Sequence, residues 1–298
     1  FKILTKSLSK ALGPIGLAIE ILIAIIQGDK AAGELAKSMN MTYTEALATR
    51  REFTRMAEDS GEIFVTTKAL QKSFILLNKS LGTNVMLNRD NLIFATKMSE
   101  MMGITDEAIV GINKLSLSTN KSMEGITGEI IAQADISATN LGVQLNEKEI
   151  LEEVSKLSAA TTLSLGKNPK LLAQAVTEAK ALGMTMEKIE KSSQALLNFE
   201  QSITSELKAE LLIGRNLNLE KARLASLNND IVTLAREISS QIGTSADFAR
   251  MNRIQQQALA ESVGMSRDEL AETLFIQENI GAATGDAAKD RKLLLASL

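Results

Sequence analysis

The chain has 298 residues, is 45% hydrophobic and 23% charged, and carries a net charge of −3. That composition belongs to a folded chain and not a disordered one, and the length allows one large domain or two ordinary ones. The 33 Lys and Arg are interspersed among 36 Asp and Glu with no basic stripe, so sequence-specific nucleic-acid binding is not expected.

What is missing narrows the chemistry further. There is no Cys, which removes disulfides, thiolate zinc sites and thiol nucleophiles. There is no His, which removes imidazole bases and imidazole-ligated metals. Adjacent carboxylates occur at Glu152-Glu153 and Asp268-Glu269, but neighbours in a helix point in different directions and build no shared site. A non-enzymatic role with no cofactor and no metal is expected. With no Trp, only 3% aromatics and two prolines, both near helix starts, the expected fold is all-α with an aliphatic core.

Residues 1–28 read as a separate apolar helical segment. Lys2, Lys6 and Lys10 precede an apolar run from Leu17 to Ile26 broken only by Glu20. The run covers about 10 residues, short of the ~20 that span a bilayer. Its membrane-contact candidates are Ile15, Leu17, Ile19, Ile21, Leu22, Ile23, Ile25 and Ile26. Two readings stand, a helix buried in protein or one that seeks an anionic membrane surface. The chain opens on Phe1 and not Met, which suggests part of a longer protein.

Residues 29–102 are expected to form a helical subdomain. Asn40-Met41-Thr42 joins two of its helices, with Glu45 placed for a capping box. Ile63-Phe64-Val65-Thr66-Thr67 has strand composition, but no second run exists to pair with it, so a loop entering a helix closed by Gly82 is expected. Asn88 or Asp90 caps the next helix, whose Met98, Met101 and Met102 read as core filling.

A helical array or bundle is expected over 103–285. Thr105 starts a helix after Gly103, and Ser122 or Met123 one that runs to about Leu141. Gly125 and Gly128 inside it suggest a flexible helix or a close helix–helix contact. Asn146 with Glu149 reads as a capping box opening a helix that Gly166 ends. Asn168-Pro169 is a strong start. A helix from Met186 to about Ile213 follows, then one near Asn218. There Leu224, Leu227, Ile231, Leu234 and Ile238 recur at 3-4-3-4 spacing, a short coiled-coil-like docking seam. Thr244 or Ser245 opens a helix to Val263. Gly281 and Gly285 loosen the end, and 286–298 reads as the start of a continuing helix.

One device recurs. Leu182-Gly183-Met184-Thr185 closes a helix with a left-handed glycine and opens the next with a Thr cap, Met184 and Ile189 forming a hydrophobic staple. Gly264-Met265-Ser266, with Glu269 and Leu270, repeats it, as does Gly103-Ile104-Thr105 with Glu107 and Ile109. Gly103, Gly183 and Gly264 are almost evenly spaced along the chain. Their spacing is a long-period echo, well above the roughly 20–50-residue unit of a solenoid.

The aliphatic Trp-free and Cys-free composition, the Gly-Met-[Ser/Thr]-x-x-[Glu/Lys] joints and the apolar segment together resemble phage tail tape measure proteins. The stretch with most of this character runs from Ala235-Arg236-Glu237-Ile238 through Ser245-Ala246-Asp247-Phe248 to Gly264-Met265-Ser266-Arg267-Asp268-Glu269. The resemblance implies a virion structural protein made in the host cytoplasm and lying in the tail tube lumen. Its partners would be tail tube and tail tip or baseplate proteins, tail assembly chaperones and further copies of itself. It would act in tail length determination, tail assembly and genome delivery across the host envelope, with host membrane contact through apolar segments. A ruler calls for uninterrupted helix, whereas this chain stops repeatedly, so the resemblance implies a jointed or bundled part. The alternatives are a membrane-active, pore-forming protein using residues 15–26, and a non-enzymatic helical scaffold or adaptor.

Overall fold

The computed structural model describes residues 14–144 and 146–280, with side chains in the first helix from residue 26 onward. Residues 281–298, including Gly281, Gly285 and the expected helix over 286–298, lie outside the described residues. So do the side chains of Ile15, Leu17, Ile19, Ile21, Leu22, Ile23 and Ile25, whereas Ile26 is 58% exposed. Among the described residues the chain is all-α, and no helix is long and apolar enough to cross a membrane.

Packing divides the chain into two compact units, residues 1–113 and 114–298. The first contains α1 (Pro14–Met39), α2 (Tyr43–Ser60), α3 (Thr67–Leu81) and α4 (Arg89–Glu100). Helix α5 (Asp106–Thr119) begins in it, and the division falls inside this helix and not at Gly103. The start of α5 goes with the first unit because Lys72 reaches Asp106 (3.8 Å) and the Ile104 N–H bonds Met98 O (2.9 Å). Leu35, Met39, Ala46, Phe53, Met56, Leu70, Phe74 and Leu92 form one apolar cluster. At its centre the rings of Phe53 and Phe74 lie 5.3 Å apart, tilted by 57°, in the edge-to-face range. The strand-like run is a loop, as expected. Val65 plugs the core while Thr66 caps α3 through its bond from the Ala69 N–H. Buried Asn78 organises the loop after Gly82 by accepting from the Thr83 hydroxyl and the Val85 N–H.

The second unit holds α6 (Met123–Leu141), α7 (Glu147–Ser155), α8 (Ala159–Ser164), α9 (Pro169–Ala181), α10 (Met186–Leu197) and α11 (Phe199–Ile213). They are followed by α12 (Glu220–Leu227), α13 (Ile231–Ile242), α14 (Ser245–Arg250), α15 (Arg253–Ser262) and α16 over 267–280. Helix α9 packs against α6, α7 and α13, α10 against α12 and α13, and α11 against α15. Small residues on α9, among them Ala173, Ala175 and Ala179, are fully or nearly fully buried and let its neighbours approach closely.

Several expected helices are shorter than the hydrophobic pattern suggests. The helix from Met186 to Ile213 breaks at Asn198, which ends α10 and caps α11 by accepting from the Gln201 N–H. The helix from Asn146 stops at Ser155, and Ser158 caps the separate α8 before Gly166. Asn146 accepts from Lys148 N–H, while Glu149 reaches across to Lys180 (2.8 Å). The helix from Thr244 to Val263 breaks at Asn252, which forms a capping box with Gln255. Gly125 and Gly128 mark no close helix contact. A β-carbon on Gly128 would meet nothing within 4 Å, and one on Gly125 would meet only the Ser122 cap at 3.0 Å.

Candidate functional site: the paired helix joints

The joints at Gly183 and Gly264 have the same backbone. Gly183 (φ +71°) and Gly264 (φ +75°) are left-handed, where a side chain is strained. The Met184 N–H bonds Ala179 O and the Met265 N–H bonds Ala260 O, both at 2.9 Å, satisfying carbonyls that a helix end leaves orphaned. Thr185 accepts from the Lys188 N–H (3.3 Å). Ser266 accepts from the Glu269 N–H (3.2 Å) and donates its own N–H to Glu269 Oε2 (2.6 Å), a full capping box. Both staples are buried, Met184 with Ile189 and Met265 with Leu270.

The other two joints stand in the opposite order to the one their sequences suggest. Asn40-Met41-Thr42 reads as a loose copy, yet it closes the same way. Asn40 is left-handed (φ +51°), the Met41 N–H bonds Ala36 O five residues back, and Thr42 and Glu45 form a reciprocal box. Asparagine tolerates this conformation better than other residues with a side chain. At Gly103 the bond from Ile104 runs six residues back, to Met98 O, so that turn holds one residue more. Thr105 caps weakly, accepting from the Ala108 N–H at 3.4 Å. Gly103, Thr105, Asn40 and Thr42 belong to the first unit and take no part in the pairing that follows.

Gly183 and Gly264 hold each other's helices. A β-carbon on Gly183 would lie 2.6 Å from Thr273 O, on α16. One on Gly264 would lie 2.5 Å from Ala195 Cβ and 3.0 Å from Ser192 Cα, on α10. Ser192 and Thr273 are separated along the chain by the same interval as Gly183 and Gly264. Each joint therefore seats on the matching position of the helix that follows the other joint, the reciprocal pattern that a two-fold axis produces.

The ion pairs obey the same relation. Lys188 pairs with Glu272 (2.7 Å), and Lys191 with Glu269 (2.7 Å). Moving along the chain by the interval from Gly183 to Gly264 carries Lys188 onto Glu269 and Lys191 onto Glu272. Helix α10 carries both cations and α16 both anions. Lys188 is largely buried and also donates to Thr273 Oγ1 (3.3 Å). The Lys191 ammonium and the Ser266 backbone N–H hold the Glu269 carboxyl down at about 2, well below its ordinary 4.5. Gln277 completes the contact by donating to Leu182 O (2.7 Å), at the end of α9, and to Ser239 on α13. The pairing was legible in principle: opposite charges at equivalent positions of two similar joints are its signal.

The expected seam is divided. Helix α12 ends at Leu227, Asn229 is left-handed (φ +54°), and Asp230 caps α13 by accepting from the Thr233 N–H. The 3-4-3-4 stripe therefore crosses a turn and is not one helical face. Ile231, Leu234 and Ile238 are buried within the unit, whereas Leu224 and Leu227 remain exposed. Among the described residues no three acidic side chains are grouped to hold a metal. A cavity of about 460 Å³ between α6 and α7 is lined by Ala134, Asp135, Thr139, Gln144 and Glu147 among others.

No protein-family model matches the chain, and neither a curated protein nor a solved structure matches it.

Proposed function

We propose that the chain is a jointed helical part of a phage tail tape measure protein. The observation that carries this reading is the recurrent stiff-helix and short-joint construction, with the Gly-Met-[Ser/Thr] joint used twice in one geometry. In this reading it lies in the tail tube lumen, meets tube, tip or baseplate proteins and assembly chaperones, associates with further copies of itself, and takes part in tail assembly, length determination and genome delivery. Host membrane contact would fall to the apolar segment containing Ile26. The protein acts by occupying space and making contacts, not by catalysis.

The test is made in the virus that encodes the chain. Mass spectrometry and immuno-electron microscopy of purified tails are expected to find it inside the tube. Deleting from Met184 through Gly264 in frame takes out one whole joint-to-joint interval. If that interval is laid out as helix, tails shorten by ~120 Å at ~1.5 Å per residue. Tails of unchanged length would mean that this part stays bundled and measures nothing. Absence of the protein from purified tails would overturn the assignment.

A second reading, a helical scaffold or adaptor outside any virion, is favoured by the large apolar side chains exposed on the second unit, Leu211 at 85% most of all.

A further inference from the structure

Helix α11 is amphipathic in the inverted sense. Its inner face carries Ser202, Glu206 and Ala209, all buried. Glu206 pairs with Arg223 of α12 (2.7 Å) and accepts the Leu219 N–H (2.8 Å), and Arg223 also reaches Ser202 (3.1 Å). The outer side carries Phe199, Ile203, Leu207 and Leu211, exposed by 46, 45, 59 and 85%. These four are spaced by four residues and form one continuous ridge of the kind that packs helix against helix.

Two more leucines are exposed on α12. Glu206 and Ser202 of α11 reach only the start of α12, at Leu219 and Arg223. Leu227 and Leu224 are 58 and 57% exposed. Polar residues hold the inside of this sub-structure while the aliphatic surface is turned outward, which costs solvation unless something covers it.

From this we infer that the α11 ridge is a self-docking face, occupied by the same ridge of a second copy lying antiparallel to it. Charge selects both the occupant and its direction. The exposed charged residues of α11 are Glu200 and Lys208, one on each side of the ridge midpoint. Antiparallel copies set Glu200 of each against Lys208 of the other, close to level. Parallel copies would set Glu200 on Glu200 and Lys208 on Lys208, which is repulsive. Lys208 already reaches Glu261 (3.1 Å), so a second carboxylate would complete a surface network of three charges. The inference gives a surface to the self-association named above and rests on that part of the reading alone. A dimer of this geometry formed by a chain absent from tails leaves it standing.

The intact chain is tested by sedimentation across a hundredfold range of concentration. Wild type is expected to shift reversibly from monomer to dimer. Leu207→Lys/Leu211→Lys is expected to stay monomeric with unchanged helicity and Tm, because both side chains are outside the fold. Direction is read by cysteine pairing, which the absence of native cysteine makes clean. A mixture of the single variants Glu200→Cys and Lys208→Cys is expected to give the mixed disulfide. Each variant alone is expected to link poorly, since antiparallel copies with 200 level with 208 hold the two 200 positions ~12 Å apart at ~1.5 Å per residue. A chain monomeric throughout, a dimer that survives the double Lys variant, or dominant 200–200 linkage would each overturn the inference. So would a monomer that binds phosphatidylcholine/phosphatidylglycerol vesicles through Leu207 and Leu211, which would make lipid the occupant.

Discussion

The two units of this chain hold themselves together differently. The first buries Phe53 and Phe74 at the centre of one apolar cluster. The second buries Phe248 and an aliphatic core but leaves Phe199 and Phe275 about half exposed or more, and adds fixation of its helices through backbone at Gly183 and Gly264 and through ion pairs reaching into the interior. Apolar volume can be traded among similar residues at modest cost. A glycine whose β-carbon would meet a carbonyl oxygen cannot be. The second unit is thus the more specified and the less forgiving, although its pattern of apolar residues looks the more ordinary.

That contrast can be broken first at the cores. Phe53→Ala is expected to cost the first unit about 3–5 kcal/mol. Differential scanning calorimetry should show the transition of the first unit moving down while that of the second holds. Both moving together would remove the distinction between the two.

Next come the joints. Gly183→Ala and Gly264→Ala are expected to destabilise the second unit by similar amounts, about 2–4 kcal/mol each in urea titrations, combining backbone strain with overpacking. Gly142 supplies the control, being left-handed (φ +68°) with nothing within 4 Å of a built β-carbon. Gly142→Ala should cost only the backbone part, about 1–2 kcal/mol. Equal costs at all three would mean that the reciprocal seating contributes nothing.

Smaller effects follow charge. Glu269 has its folded-state pKa lowered to about 2, so its contribution is fully present above its ordinary 4.5 and is lost as pH falls from there towards 2. Urea midpoints of the second unit should decline over that window, and Glu269→Gln should flatten the decline. The smallest effect expected is at Ser192, whose buried hydroxyl has no hydrogen-bond partner among the described residues. Ser192→Ala should be neutral or slightly stabilising, by ~0.5 kcal/mol or less, because it leaves nothing unpaired. A loss above about 1 kcal/mol would reveal a bond made by that hydroxyl.

Much of this architecture was legible because glycine and capping residues announce themselves. Gly61, Gly82, Gly142, Gly183, Gly214 and Gly264 are all left-handed at helix ends. Asparagine was harder to read. Asn198, Asn229 and Asn252 sit in runs whose apolar spacing continues unbroken, yet each ends or opens a helix because its side chain offers the backbone a competing bond or it accepts a left-handed turn. The seam at Leu224, Leu227, Ile231, Leu234 and Ile238 failed for that reason. Periodicity reports which residues are apolar, not whether the helix between them is continuous. The joints of the candidate site were legible one at a time. Their pairing was signalled only by the charges, Lys188 and Lys191 against Glu269 and Glu272, because a capping motif by itself carries no information about what packs on it from a distant part of the chain.

The reach of Gln277 has a consequence in time. Its bond to Leu182 O joins residues 95 apart in the chain. At a synthesis rate of ~5–20 residues per second, the first joint waits roughly 5–20 seconds before Gln277 exists. Throughout that interval the joint has only its local closure, the Met184 N–H bond to Ala179 O and the Thr185 cap, with nothing seated on Gly183 from outside. Arrival of α16 sets Thr273 O and Gln277 against Gly183, so a joint first fixed by its own backbone is fastened a second time from outside.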